Sequence, residues 1–143
     1  MRAAILQMRS GIDPAANADA IVRAVADARA GGADMLFTPE MSNLLDRDRA
    51  RSEPALEEEG ADRTLAAVRE AARAHELWVH LGSLALAGPG GQRLNRGFVI
   101  DDQGAVRARY DKIHLFDVDL PTGESWRESA VYARGERAVV VET

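Results

Sequence analysis

The 143-residue chain contains no cysteine. Disulfides, thiolate metal sites and a cysteine nucleophile supplied by these residues are therefore excluded. No excess of positive charge is present either, since the formal net charge is −5. That argues against nucleic-acid or anionic-membrane partners, which call for Lys- and Arg-rich faces. No apolar run approaches the roughly 20 residues of a transmembrane helix. Met1 leads directly into the alternating segment Arg2-Ala3-Ala4-Ile5-Leu6-Gln7-Met8. With no cationic start, apolar stretch and cleavage site in that order, a cytoplasmic protein is expected. Gly31-Gly32 follows a helical pattern and Gly88-Pro89-Gly90-Gly91 joins two strand patterns. Neither makes the strand-to-helix turn that cradles phosphate. His75 and His80 lack metal-ligand spacing with each other or with an acid, so no metal is assigned.

The composition that remains is that of an ordinary globular domain, 46% hydrophobic and 29% charged. The length allows one domain with a real core, taken as residues 1–143. Residues 2–8 read as a short buried strand centred on Ile5 and Leu6. Asp13 followed by Pro14 fits a helix start. Ala18, Ile21, Val22, Val25 and Ala28 recur at helical spacing up to Gly31. Asp34 to Thr38 is a second short strand closed by Pro39. Strand, helix, strand predicts a βαβ unit in a parallel or mixed sheet. Residues 42–61 read as a polar surface loop with a short helix, and Asp62 opens another helix. Leu77 to Leu86 reads as a strand buried on both faces. Asn95–Ile100 and Ala105–Tyr110 flank Asp101-Asp102-Gln103-Gly104 as a hairpin. Ala138 to Val141 reads as a last buried strand.

Glu40 follows an apolar strand and a proline, where ligands bind in α/β sheets. Apolar flanks there would raise its pKa and suit it to general-base work. Taken alone, an ordinary loop carboxylate is the favoured reading. Lys112, leaving the hairpin in Tyr110-Asp111-Lys112-Ile113-His114, has the charge to stabilise an oxyanion. Taken alone, a solvated surface lysine is favoured. His114 is a ligand, a base or, more commonly, a structural histidine. Of the acids in Thr122-Gly123-Glu124-Ser125-Trp126-Arg127-Glu128, Glu128 beside Trp126 is the better candidate for partial burial.

Three segments together carry a resemblance. Ala3-Ala4-Ile5-Leu6-Gln7-Met8, Leu36-Phe37-Thr38-Pro39-Glu40 and Tyr110-Asp111-Lys112-Ile113-His114-Leu115-Phe116-Asp117 occur in the order and approximate spacing seen in the nitrilase, or carbon–nitrogen hydrolase, superfamily. The last segment, continuing through Val118-Asp119-Leu120-Pro121, resembles the branch of omega-amidase and deaminated glutathione amidase. The resemblance implies an α/β fold, the N-terminal half of a four-layer α-β-β-α sandwich with a mixed sheet. It also implies cleavage of a non-peptide amide of a small carboxylic acid by glutamate, lysine and cysteine, without cofactor or metal. Glu40 would be the base, Lys112 the oxyanion stabiliser and Glu128 a substrate-positioning glutamate. The small-molecule amide is then the partner, and association into homo-oligomers is a family habit. The family's cysteine is expected after Val139-Val140-Val141, so the domain is expected to stop short of its nucleophile and to be inactive as it stands. The alternatives are a non-catalytic remnant that binds or assembles with partners, and a small doubly wound ligand-binding domain.

Overall fold

Two aspartates start the two long helices because a short acceptor there satisfies N–H groups that no helical carbonyl can reach. Asp13 Oδ1 accepts from the Ala15 and Ala16 amides at 3.0 and 3.3 Å. Asp62 Oδ1 accepts from the Leu65 amide at 2.7 Å. The computed structural model describes Met1–Thr143. Its elements run β1 (Ala3–Ile5), α1 (Pro14–Ala30), β2 (Met35–Phe37), α2 (Arg49–Ser52), α3 (Arg63–His75), β3 (Trp78–Ala87), β4 (Arg93–Ile100), β5 (Val106–Asp111), β6 (Asp117–Asp119) and β7 (Ser125–Arg127). One five-stranded sheet has the order β1-β2-β3-β4-β5, and β6 and β7 form a separate ribbon. β1, β2 and β3 pair in parallel, while β3, β4 and β5 pair antiparallel. The predicted hairpin is β4–β5, and the predicted mixed sheet is present.

The helices cover one face of this sheet. Leu36, Val79 and Ile100 stand in register across three strands, with Leu81 opposite Phe98 beside them. All five join Ile21 and Val25 of α1 and Val68 and Ala72 of α3 in one core. Burial of each large side chain contributes about 1.5–3 kcal/mol. The other face of the sheet carries Phe37, His80, Val99 and Tyr110 with no helix upon it. This one-sided cover, with two antiparallel pairs, is not a doubly wound domain, which has a parallel sheet between helices. No helix is long and apolar enough to cross a membrane.

Three expectations about strands are corrected. Ile5 is not a buried centre: β1 is an edge strand, and Ile5 is 82% exposed on the uncovered face. Burial instead falls on alternate residues Ala4, Leu6 and Met8, which pack against the core. β3 is not sealed on both faces, since Trp78, His80 and Gly82 are only half-buried. Ala138 to Val141 is not a strand, and Val140 is 96% exposed. A strand exists by pairing, and no segment of the chain forms a ladder with these residues.

The loop after β2 is more buried than its polar composition suggests. Asn43, 3% exposed, accepts from the Ala85 amide at 2.8 Å and donates to the Ala85 carbonyl at 2.9 Å. It also donates to Asp62, and its own carbonyl accepts from Asn17 at 2.8 Å. Asn43 thus ties the loop to β3 and to the cap of α3 through its side chain, and to the first turn of α1 through its backbone carbonyl. Asn43→Ala leaves several buried polar groups unpartnered and is expected to cost about 2–4 kcal/mol in urea unfolding. Ile5→Thr, on the bare face, is expected to change stability by no more than about 0.5 kcal/mol.

Candidate active site

Glu40 owes its position to a glycine on the neighbouring strand. Beyond β2, Thr38 and Pro39 lie against a bulge of β3, where the ladder with β4 shifts register between Leu81 and Leu84. A β-carbon on Gly82 would stand 2.6 Å from the Pro39 carbonyl oxygen and closer still to that of Thr38. Only a residue without a side chain allows the two backbones to touch. The Gly82 amide donates to Thr38 Oγ1 at 3.1 Å, and Ser83 Oγ accepts from the Met41 amide at 3.0 Å. Met41 closes the turn at φ 52°, an unusual conformation for a residue with a β-carbon.

Lys112 directly follows β5. Its amide donates to the Asn95 carbonyl at 3.0 Å, and its carbonyl accepts from the Gly135 amide at 2.9 Å. Glu128 arrives from a third direction, at the end of the β6–β7 ribbon, where it opens a 3-10 turn. Asp117 fixes that turn by accepting from the Ser129 amide at 3.0 Å and from its hydroxyl at 2.6 Å.

The three side chains meet. Lys112 Nζ lies 2.8 Å from Glu40 Oε1 and 2.9 Å from Glu128 Oε2. Asn95, 2% exposed, donates its amide to Glu40 Oε1 at 2.7 Å and to Glu128 Oε1 at 3.2 Å. The Phe116 amide donates to Glu128 Oε2 at 2.6 Å. Glu128 is thus held by three groups and its side chain is 13% exposed, whereas that of Glu40 is 54% exposed. Both protein donors to Glu40 fall on Oε1, which leaves Oε2 without a protein partner.

Asn95 was not singled out in the sequence. The signal available was an amide at a buried position of a strand, where an unpaired polar group is costly. The other candidates lie apart. Glu124 and His114 are exposed, and neither lines the cavity around Lys112. His80 sits on the sheet face without helices, beside Phe37, 5.4 Å between ring centroids, and burial lowers its pKa. The cavity has a volume of about 540 Å³, and its walls include Met41, Leu44, Phe116, Trp126, Val131 and Tyr132 besides the three charged groups.

The expected rise in the Glu40 pKa is corrected. Burial does push the carboxyl up, but hydrogen bonds from Lys112 and Asn95 and the lysine's charge outweigh it, and the pKa is lowered. Burial likewise pulls Lys112 down, and the two glutamates overcome it, so its pKa is raised. The sign of each contribution to stability follows. Glu40 stabilises the fold fully above its ordinary value of 4.5, and this is lost as pH falls through the lower folded value. Lys112 does so fully below 10.5, and this is lost as pH rises through the higher folded value. An NMR titration is expected to place the Glu40 midpoint below 4.5, and Lys112→Met is expected to move it upward. Gly82→Ala is expected to lower stability and to shift the Glu40 resonances, since the clash falls on Thr38 and Pro39.

Comparison with known proteins places this chain in a family. The sequence matches the carbon–nitrogen hydrolase family over residues 2–143. It is 32% identical to the deaminated glutathione amidase of Yersinia enterocolitica across 98% of this chain and 49% of that protein. It is 33% identical over 117 residues to the nitrilase and fragile histidine triad fusion protein of Drosophila melanogaster, covering 80% of this chain and 25% of the fusion. Among solved structures, the Caenorhabditis elegans NitFhit protein superposes with a TM-score of 0.82 at 27% identity, over 96% of this chain and 34% of that one. An amidase from Nesterenkonia sp. gives 0.75 at 28% identity, over 96% of this chain and 49% of that one. The chain therefore spans about half the length of the Yersinia relative. The helix-backed mixed sheet is the N-terminal half of the nitrilase-type sandwich. With the family match running from residue 2 to residue 143, the chain belongs to the carbon–nitrogen hydrolase family.

Proposed function

We propose that these residues form the front part of an amidase that hydrolyses the amide of a small carboxylic acid through a glutamate, a lysine and a thiol. The carrying observation is the Lys112 ammonium, 2.8 Å from Glu40 and 2.9 Å from Glu128, at the wall of a cavity of about 540 Å³. Glu40 is the general base and Oε2, unoccupied by protein donors, is the atom that receives the proton. Lys112 stabilises the oxyanion, and Glu128 keeps the ammonium and the substrate in place.

The steps balance with these groups and one sulfur. The thiol gives its proton to Glu40, and the sulfur attacks the amide carbon. Negative charge develops on the carbonyl oxygen, where a fixed cation lowers the barrier most. The carbon–nitrogen bond breaks as Glu40 returns the proton, and ammonia departs. Glu40 then deprotonates water, which attacks the thioester carbon; the carbon–sulfur bond breaks, the acid departs and Glu40 returns the proton to the sulfur. Residues 1–143 contain no cysteine, so in this reading the sulfur lies outside them. The Nesterenkonia amidase supports a sulfur nucleophile, having been solved with acrylamide added at its active-site cysteine. Mutants of that amidase were also solved in complex with acrylamide and with butyramide.

The second reading is a non-catalytic chain that binds or assembles with partners. An ammonia-release assay on succinamate, a short dicarboxylic acid monoamide, separates the two. Residues 1–143 are expected to release none, and an in-frame extension that adds a cysteine is expected to turn over. In that extended chain Glu40→Gln is expected to lower kcat by about 100-fold or more. Release of ammonia by residues 1–143 alone would contradict the mechanism, and a stop codon directly after Thr143 would favour the second reading.

A further inference from the structure

Five cationic side chains line the cavity that contains Glu40 and Glu128: Arg47, Arg49, Arg93, Lys112 and Arg127. Three already have carboxylates. Lys112 is shared by the two glutamates, Arg93 pairs with Glu53, and Arg127 pairs with Asp119. The remaining acid on the wall, Asp46, is held by Arg51 through two bonds of 2.7 Å. Arg47 and Arg49 are left without an ion pair, and both are exposed at the rim. The rim therefore carries two guanidinium groups without an ion pair, with the Asp48 carboxylate between them in sequence, on a chain whose net charge is −5.

The rim is held in place. The Arg47 guanidinium lies over the Trp126 ring, 5.4 Å from its centroid. A guanidinium that covers a ring keeps N–H donors along its edge, the geometry that grips a carboxylate. The Arg49 carbonyl accepts from Arg93 at 2.9 Å, and its own Nη2 donates weakly to the Arg127 carbonyl at 3.4 Å. Asp48, between them in sequence, caps α2 by accepting from the Arg51 amide at 3.1 Å. The backbone that carries the two arginines is thus fixed before an anion binds.

The deeper part of the cavity has the opposite sign. Two carboxylates share a single ammonium there, a net charge of −1, which would repel an anion and accept a neutral amide. Leu44, Phe116 and Trp126 add apolar lining suited to methylene groups. We propose that Arg47 and Arg49 select amides whose far end bears a carboxylate, binding that carboxylate at the rim while the amide reaches Lys112. The proposal rests on the amidase reading above and adds to it the residues that set specificity.

The test compares succinamate with butyramide, which share the amide and two methylenes and differ by a carboxylate against a methyl. NMR titration of the chain, observing backbone amides and arginine Nε–H groups, gives both affinities. Succinamate is expected to bind about tenfold tighter at low salt. The preference is expected to shrink at about 0.5 M salt, as exposed charges are screened. Combining Arg47→Gln with Arg49→Gln is expected to abolish the preference, read as the ratio of the two affinities in the same variant. Both residues are exposed, so the fold should tolerate the change. A preference that survives in the double variant overturns the proposal, because the carboxylate is then held elsewhere. Equal binding by the unaltered chain overturns it too, yet leaves the amidase reading standing where both amides shift Lys112 and Glu40. Failure of both amides to bind overturns the two together.

Discussion

One ammonium group stands against both carboxylates that the site gathers. Lys112 stands between two carboxylates, and without it Glu40 and Glu128 would face each other across a partly desolvated wall. Like charges so placed oppose each other's ionisation and would drive one group neutral. The lysine's hydrogen bond and charge hold the Glu40 carboxyl below its ordinary value, and Asn95, buried behind the two glutamates, donates to each. A base that stays charged, a cation that stays charged and a fixed distance between them all follow from this four-residue knot. It joins the end of β2, the start of β4, the end of β5 and the turn after β7. Most of the chain's topology is needed to bring these points together.

The scaffold accepts local costs for that convergence. Gly82 gives up a side chain so that Thr38 and Pro39 can press against β3, and Met41 takes a left-handed conformation costing on the order of 1–2 kcal/mol. Both distortions flank Glu40. They are held by buried polar contacts, with Ser83 receiving the Met41 amide and Asn43 fastening the loop to Ala85. Such distortion persists only where its surroundings determine it fully. The same anchored loop carries Arg47 and Arg49 onward to the cavity rim.

What could be read from the sequence was mostly local. Asp13 and Asp62 announce their helices because a cap needs only its own first turn. The β4–β5 hairpin is likewise closed by adjacent residues. Ile5 and the Val139–Val141 run were misread because residue type reports apolarity and says nothing of which sheet face is covered or which edge is paired. The Glu40 pKa was misread for a related reason. Apolar neighbours in sequence pointed upward, while the deciding charge lies 72 residues away. Asn95 went unnoticed because its partners are 55 and 33 residues distant. Glu40, Lys112 and Glu128 became legible together only through the order of family segments, each looking unremarkable by itself.

The sharing of Lys112 can be measured with a double-mutant cycle on chain stability, using Lys112→Met and Glu128→Gln. Groups that interact directly give a non-additive result, and a half-buried pair in this geometry is expected to show a coupling of about 1 kcal/mol or more. Additivity within about 0.3 kcal/mol would mean that the ammonium and the carboxylate do not meet, and would contradict the account of the site.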